Sequence, residues 1–150
     1  MNAAINSNAE VRAWIRKAEN DFNAACLLMA AGKDCPSDGV CFHAQQCVEK
    51  YLKAVLCLHG LDFPRNHDIG ELIALLPRGC GLPLSAEEQD KLTEYAVDSR
   101  YPGLEKDIDF TEASQAVKWM EISRISLRVY LETKAGAKTN LFIDPLIDTK

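Results

Sequence analysis

The chain has 150 residues, 47% of them hydrophobic, with six cysteines and a formal net charge of −5. That length and apolar content suit one domain, able to bury about 68–70% of the surface its unfolded form exposes, and no disulfide staple is required. The acidic balance excludes indiscriminate coating of DNA or RNA, whose affinity depends on many lysine and arginine contacts to phosphate, while leaving room for a local cationic pocket.

Ser7, Asn8, Ala9 and Glu10 have the form of a capping box and open the first helix, expected over residues 8–31. Val11, Trp14, Ile15, Ala18, Phe22, Ala25 and Met29 sit at core spacing along it, and Gly32 suits the left-handed turn that ends it. Residues 33–39, with Pro36 and Gly39, read as a loop in which Ser37 or Asp38 caps the second helix.

Helix two, expected over residues 41–60, carries two stripes. Ala44, Val48, Tyr51, Val55 and Leu58 advance by steps of four and three and form a core face. His43, Gln46, Lys50 and Lys53 advance in the same way and form a polar, partly cationic line, rotated from the first by roughly a quarter turn. Such a line can hold an anion. Its bland counterpart is a solvated face, with Glu49 and Lys53 as an ordinary surface ion pair.

Pro64 breaks the link that follows, and His67 and Asp68 begin a short third helix of about ten residues, with Ile69, Leu72, Ile73 and Leu76 inward and Pro77 and Gly79 closing it. Ser85, Ala86, Glu87 and Glu88 repeat the capping-box pattern ahead of Leu92, Tyr95 and Ala96, and this fourth helix stops near Arg100, before Pro102 and Gly103. Asp109, Phe110, Thr111 and Glu112 open the last helix. Ala113, Val117, Met120 and Leu127 lie on one of its faces, Trp119, Ile122, Ser126 and Val129 on another, a breadth suited to contact with a partner subunit.

No segment shows period-two alternation and no repeat recurs at a fixed period. The expected fold is an all-α, up-and-down antiparallel bundle of four long helices plus one short helix over residues 1–135. Residues 136–150 form a tail in which Leu141, Phe142, Ile143, Leu146 and Ile147 surround Pro145, so it is expected to pack on its own or a partner subunit. Apolar runs such as residues 51–58 stop well short of the about eighteen residues of a membrane span. Cys26, Cys35, Cys41, Cys47, Cys57 and Cys80 include no C-x-x-C pair, and residues 1–10 have neither a basic start nor an apolar run. Reduced thiols in a cytoplasmic protein are therefore expected.

Among single residues, His67 can cap a helix or act as acid or base, its ordinary pKa being about 6.5. Arg100 can pair with a carboxylate or bind phosphate through its planar fork, and Tyr101 can fill the core edge or stack on a base. His43 and Cys47, four apart, have half the spacing of a zinc site, but no second pair of ligands accompanies them and no metal is expected.

Four segments, in order, resemble the HEPN family, the higher eukaryote and prokaryote nucleotide-binding domains: residues 18–22 (AENDF), 42–54 (FHAQQCVEKYLKA), 67–72 (HDIGEL) and 99–102 (SRYP). The resemblance runs over residues 11–131. It implies an up-and-down helical bundle, commonly a homodimer, often paired in bacteria with a small nucleotidyltransferase-type protein. Several branches of the family are metal-independent ribonucleases, including toxins of toxin and antitoxin pairs, and carry an arginine followed after about four to six residues by a histidine. No arginine of this chain has that spacing to His43, His59 or His67, Arg65 lying too close to His67.

The resemblance thus implies a nucleotide-binding or regulatory role without a cofactor. Its ligand would be nucleotide or RNA phosphate, held by His43, Gln46, Lys50, Lys53, His67, Asp68, Arg100 and Tyr101. The alternatives are a ribonuclease with His67 and Arg100 as catalytic groups, and a dimeric interaction module without a ligand site.

Overall fold

The computed structural model describes residues 2–96, 107–136 and 141–142, with side chains from residue 8 onward. It is all-helical: α1 (Asn2–Met29), a 3₁₀ turn (Gly32–Asp34), α2 (Ser37–Leu58), α3 (Ile69–Ala74), α4 (Ala86–Glu94) and α5 (Phe110–Ala135), with no strand among the described residues. The expected helical bundle is therefore the fold. No helix among the described residues is long and apolar enough to cross a membrane.

Helix ends follow local chemistry where a side chain can reach a free amide. Asp68 accepts from Glu71 N, Ser85 and Glu88 form a reciprocal capping box, and Asp109 accepts from Glu112 N. Elsewhere the expected ends move. Helix α1 starts at Asn2 rather than at the Ser7 box, because nothing between Asn2 and Ser7 is a glycine or proline that would stop the helix. Helix α2 starts at Ser37 with Pro36 at the cap position and no side-chain cap bond, and it ends at Leu58, shortly before Gly60 takes a positive φ of 65°. Helix α3 has six residues, with Ile69 and Leu72 buried, and α4 gives way at Tyr95.

The bundle is organised around α2. Glu10 meets Cys57 and Asp21 meets Lys50, so α1 runs antiparallel to α2, whereas contacts of Tyr51 with Arg128 and of His59 with Tyr130 set α5 alongside α2. Ala44, Val48, Tyr51 and Val55 are buried as their spacing predicts, and Leu52 and Leu56 on another side are buried as well. On α5, Ala113, Ala116, Met120, Leu127 and Leu131 face inward, while Ile122, Ile125 and Val129 form an exposed apolar stripe. Leu141 is buried, and Phe142 lies under the Arg128 guanidinium at 4.1 Å.

One ionic cluster joins α1, α2 and α5. Glu19 of α1 accepts from Tyr51 of α2 at 2.6 Å, from Arg124 of α5 through Nε at 2.7 Å and Nη2 at 2.5 Å, and from Arg128 at 3.1 Å. Burial alone would raise the Glu19 carboxyl, but bonds from Arg124 and Tyr51 and the charges of both arginines outweigh it and hold the carboxyl below its ordinary value. Its contribution to stability is thus present above the ordinary value of 4.5 and is lost as pH falls through the lowered folded-state value.

Glu19→Gln is expected to cost about 2 kcal/mol near neutrality, with the gap from wild type closing in acid; urea midpoints across pH measure it, and a gap independent of pH would contradict the assignment. Ser123 is fully buried in α5 and its hydroxyl has no hydrogen-bond partner among the described residues. Ser123→Ala should therefore raise stability, by about 1 kcal/mol, and a lower urea midpoint would show that the hydroxyl is satisfied after all.

Candidate functional site

The polar line of α2 does not stand free in solvent. Two carboxylates gather it into two clusters. Asp21 of α1 accepts from His43 Nδ1 at 2.8 Å on one oxygen and from Lys50 Nζ at 2.5 Å on the other. Glu49 of α2 accepts from Lys53 Nζ at 3.1 Å on one oxygen and from His67 Nδ1 at 2.7 Å on the other. A carboxylate can only accept, so in both clusters it is the imidazole Nδ1 that carries the proton.

The acids lie deep and the histidines reach outward. The Glu49 side chain is 3% exposed and that of Asp21 10%, against 31% for His43 and 53% for His67. Gln45, fully buried, adds a second tether: its amide donates to the His67 carbonyl at 2.9 Å and to Glu49 Oε1 at 3.2 Å. Gln46 donates to Gln45 Oε1 at 2.6 Å, which orients that amide. The His67 backbone and ring are thus both fixed from α2, although His67 belongs to the loop before α3.

Lys53 differs from the surface residue its spacing suggested. The pair with Glu49 forms, but both members are buried, and the Lys53 ammonium sits 5.4 Å from the Trp14 ring and 5.6 Å from the Phe63 ring, which close over it. Asp68 spends its side chain on the α3 cap. Arg100 and Tyr101 lie outside the described residues.

Three polar residues were not picked out as site members from sequence: Asp21, Gln45 and Glu49. The signal for Gln45 and Glu49 was their four-residue spacing within a helix whose neighbours are mostly buried, a setting where polar side chains need partners.

Other chemistry is disfavoured here. Burial pushes the thiols of Cys26, Cys47, Cys57 and Cys80 up, and that of Cys41 up to about 12, so these are poor nucleophiles at neutral pH. Cys47, one turn from His43, is wholly buried, and no three His, Cys, Asp or Glu side chains among the described residues gather as metal ligands. What the two clusters leave partly exposed are the nitrogen groups of His43, Lys50 and His67, suited to a phosphate oxygen or to proton transfer, whereas Lys53 is closed off.

Comparison with known proteins agrees with this architecture. A family model described as HEPN domain matches residues 11–124. Among curated proteins, "Putative toxin MJ1304" of Methanocaldococcus jannaschii is 43% identical over 53 residues, which amount to 35% of this chain and 33% of that protein. The match therefore spans about a third of the relative's length. Among solved structures, TT1696 from Thermus thermophilus aligns with a TM-score of 0.67 and 24% identity, over 79% of this chain and 96% of its own, a likeness of fold.

Removing one partner of a buried ion pair leaves an uncompensated charge. Glu49→Leu is expected to cost about 3–5 kcal/mol, and adding Lys53→Met should recover most of it. Urea denaturation of the single and double variants measures this; a single variant of near wild-type stability would mean that the Lys53 ammonium escapes to solvent.

Proposed function

This chain belongs to the HEPN domain family, and from that premise we propose that it binds nucleotide or RNA phosphate along the polar face of α2, in a regulatory role. The observation that carries the reading is the pairing of each buried carboxylate with one lysine and one outward histidine. Groups held in place before a ligand arrives lose less freedom on binding, and the carboxylates supply that hold. The overall charge of −5 favours such a local site over binding to nucleic acid at large. Arg100 and Tyr101, which lie outside the described residues, enter this proposal from the family resemblance alone.

The working unit in this proposal is a homodimer paired with a nucleotidyltransferase-type protein. The exposed stripe of Ile122, Ile125 and Val129 on α5 supports an interface there, since adjacent large apolar side chains gain from being covered.

A second reading, cleavage of RNA by a toxin of this family, is supported by the archaeal relative's name and by His67, whose half-exposed ring is tethered to a buried acid. In that reaction the 2′-hydroxyl attacks the adjacent phosphorus and the bond to the 5′ oxygen breaks. His67 takes the hydroxyl proton and later returns one to the leaving oxygen, while Arg100 meets the added charge on phosphate.

A panel of nucleotides and short RNAs should give a thermal shift and saturable binding, and Lys50→Met should weaken the best ligand by about tenfold or more, as expected for loss of a charge-assisted hydrogen bond. Absence of binding across the panel would overturn the first reading. Cleavage of an RNA pool in the presence of a chelator, lost in His67→Ala, would replace binding alone with the second.

A further inference from the structure

The two clusters share a charge pattern with a consequence for ligand binding. In each, the carboxylate is matched by a lysine: Asp21 by Lys50 at 2.5 Å and Glu49 by Lys53 at 3.1 Å. The lysine and acid charges cancel, so the charge of each cluster is that of its histidine. With neutral imidazoles the two clusters carry no net positive charge.

Because Asp21 and Glu49 hold the proton on Nδ1 of His43 and His67, the Nε2 atom of a neutral ring is a bare acceptor. Neither Nε2 has a hydrogen-bond partner among the described residues. A phosphate oxygen is also an acceptor, so the two repel. Protonation turns each Nε2 into a donor and adds a positive charge in the same step. His59 is built otherwise, its Nε2 lying 2.7 Å from the Tyr130 hydroxyl.

We propose that phosphate binding at this face is proton-linked, with His43 and His67 each taking up a proton as the ligand binds. This rests on the phosphate-binding reading and adds regulation to it: affinity rises as pH falls through the range in which histidine titrates.

The charged groups around each ring are consistent with that linkage. His43 is faced by Asp21 from α1 and Lys50 from α2, with the Phe42 ring at 5.4 Å. His67 is faced by Glu49, itself paired with Lys53, while at the start of α3 Asp68 caps Glu71 N and Glu71 accepts from Asn66. The lysines prevent the acids from giving the face a negative charge that would repel phosphate.

The test uses the full chain and a short single-stranded RNA without a terminal phosphate, because phosphodiesters do not titrate near neutrality whereas a terminal phosphate does, with a second pKa of about 6. Calorimetry just above neutral pH in buffers of different ionisation enthalpy should read a net uptake of about one to two protons, and affinity should fall by about tenfold or more between roughly pH 6 and pH 8. His43→Gln and His67→Gln should each remove part of the uptake. The double variant should bind at every pH with the weak affinity wild type shows in the alkaline range. Saturable binding without proton uptake, or a pH dependence unchanged in the double variant, overturns the linkage while leaving the binding reading in place. Absence of saturable binding at any pH overturns both.

Discussion

Three carboxylates carried into the packing of α1, α2 and α5 each face two basic groups, and the rest of the structure is arranged around that constraint. Glu19 meets Arg124 and Arg128, Asp21 meets His43 and Lys50, and Glu49 meets Lys53 and His67. An acid cannot leave water without compensation, so each fixes the helices that supply its partners. The Glu19 cluster ties α5 to α1 and α2. The other two tie α1 and the loop before α3 to the polar side of α2.

The clusters differ in the basic partners they hold. At Glu19 the partners are two arginines, always charged, and Tyr51, with Arg124 stacked on Phe22 and Arg128 on Phe142. Such a joint has no neutral state at ordinary pH. At Asp21 and Glu49 one basic partner in each pair is histidine, and the histidines are the members that reach toward solvent. The half-exposed imidazole of His67 is anchored by buried Gln45 and Glu49. The same anchoring gives that imidazole a fixed tautomer and a defined direction of approach.

Much of the bundle was legible in the sequence because it is written locally. The Asp68, Ser85 and Asp109 caps each act within three residues, and the stripe from Ala44 to Val55 needs only the helical period. The site was less legible because its partners are remote. His43 and Lys50 were visible as cations on one line, but the acid that fixes them stands 22 and 29 residues away, and Glu49 reaches His67 across 18 residues. Glu19 and its arginines are more than 100 residues apart. The burial of Lys53 likewise depends on Trp14 and Phe63, which close over it from another helix and a loop. Periodicity places a residue on a face; it does not say what covers that face.

The central claim is that the carboxylate-held histidines of the α2 face meet the ligand phosphate. The chain has three histidines, and the third, His59, lies at the far end of α2 bonded to Tyr130, which makes it an internal control. Imidazole nitrogen NMR during titration with a short RNA reads all three at once. The account predicts that Nε2 of His43 and His67 moves to a protonated, hydrogen-bonded shift on binding while His59 stays where it was. Binding that leaves His43 and His67 unmoved would contradict it.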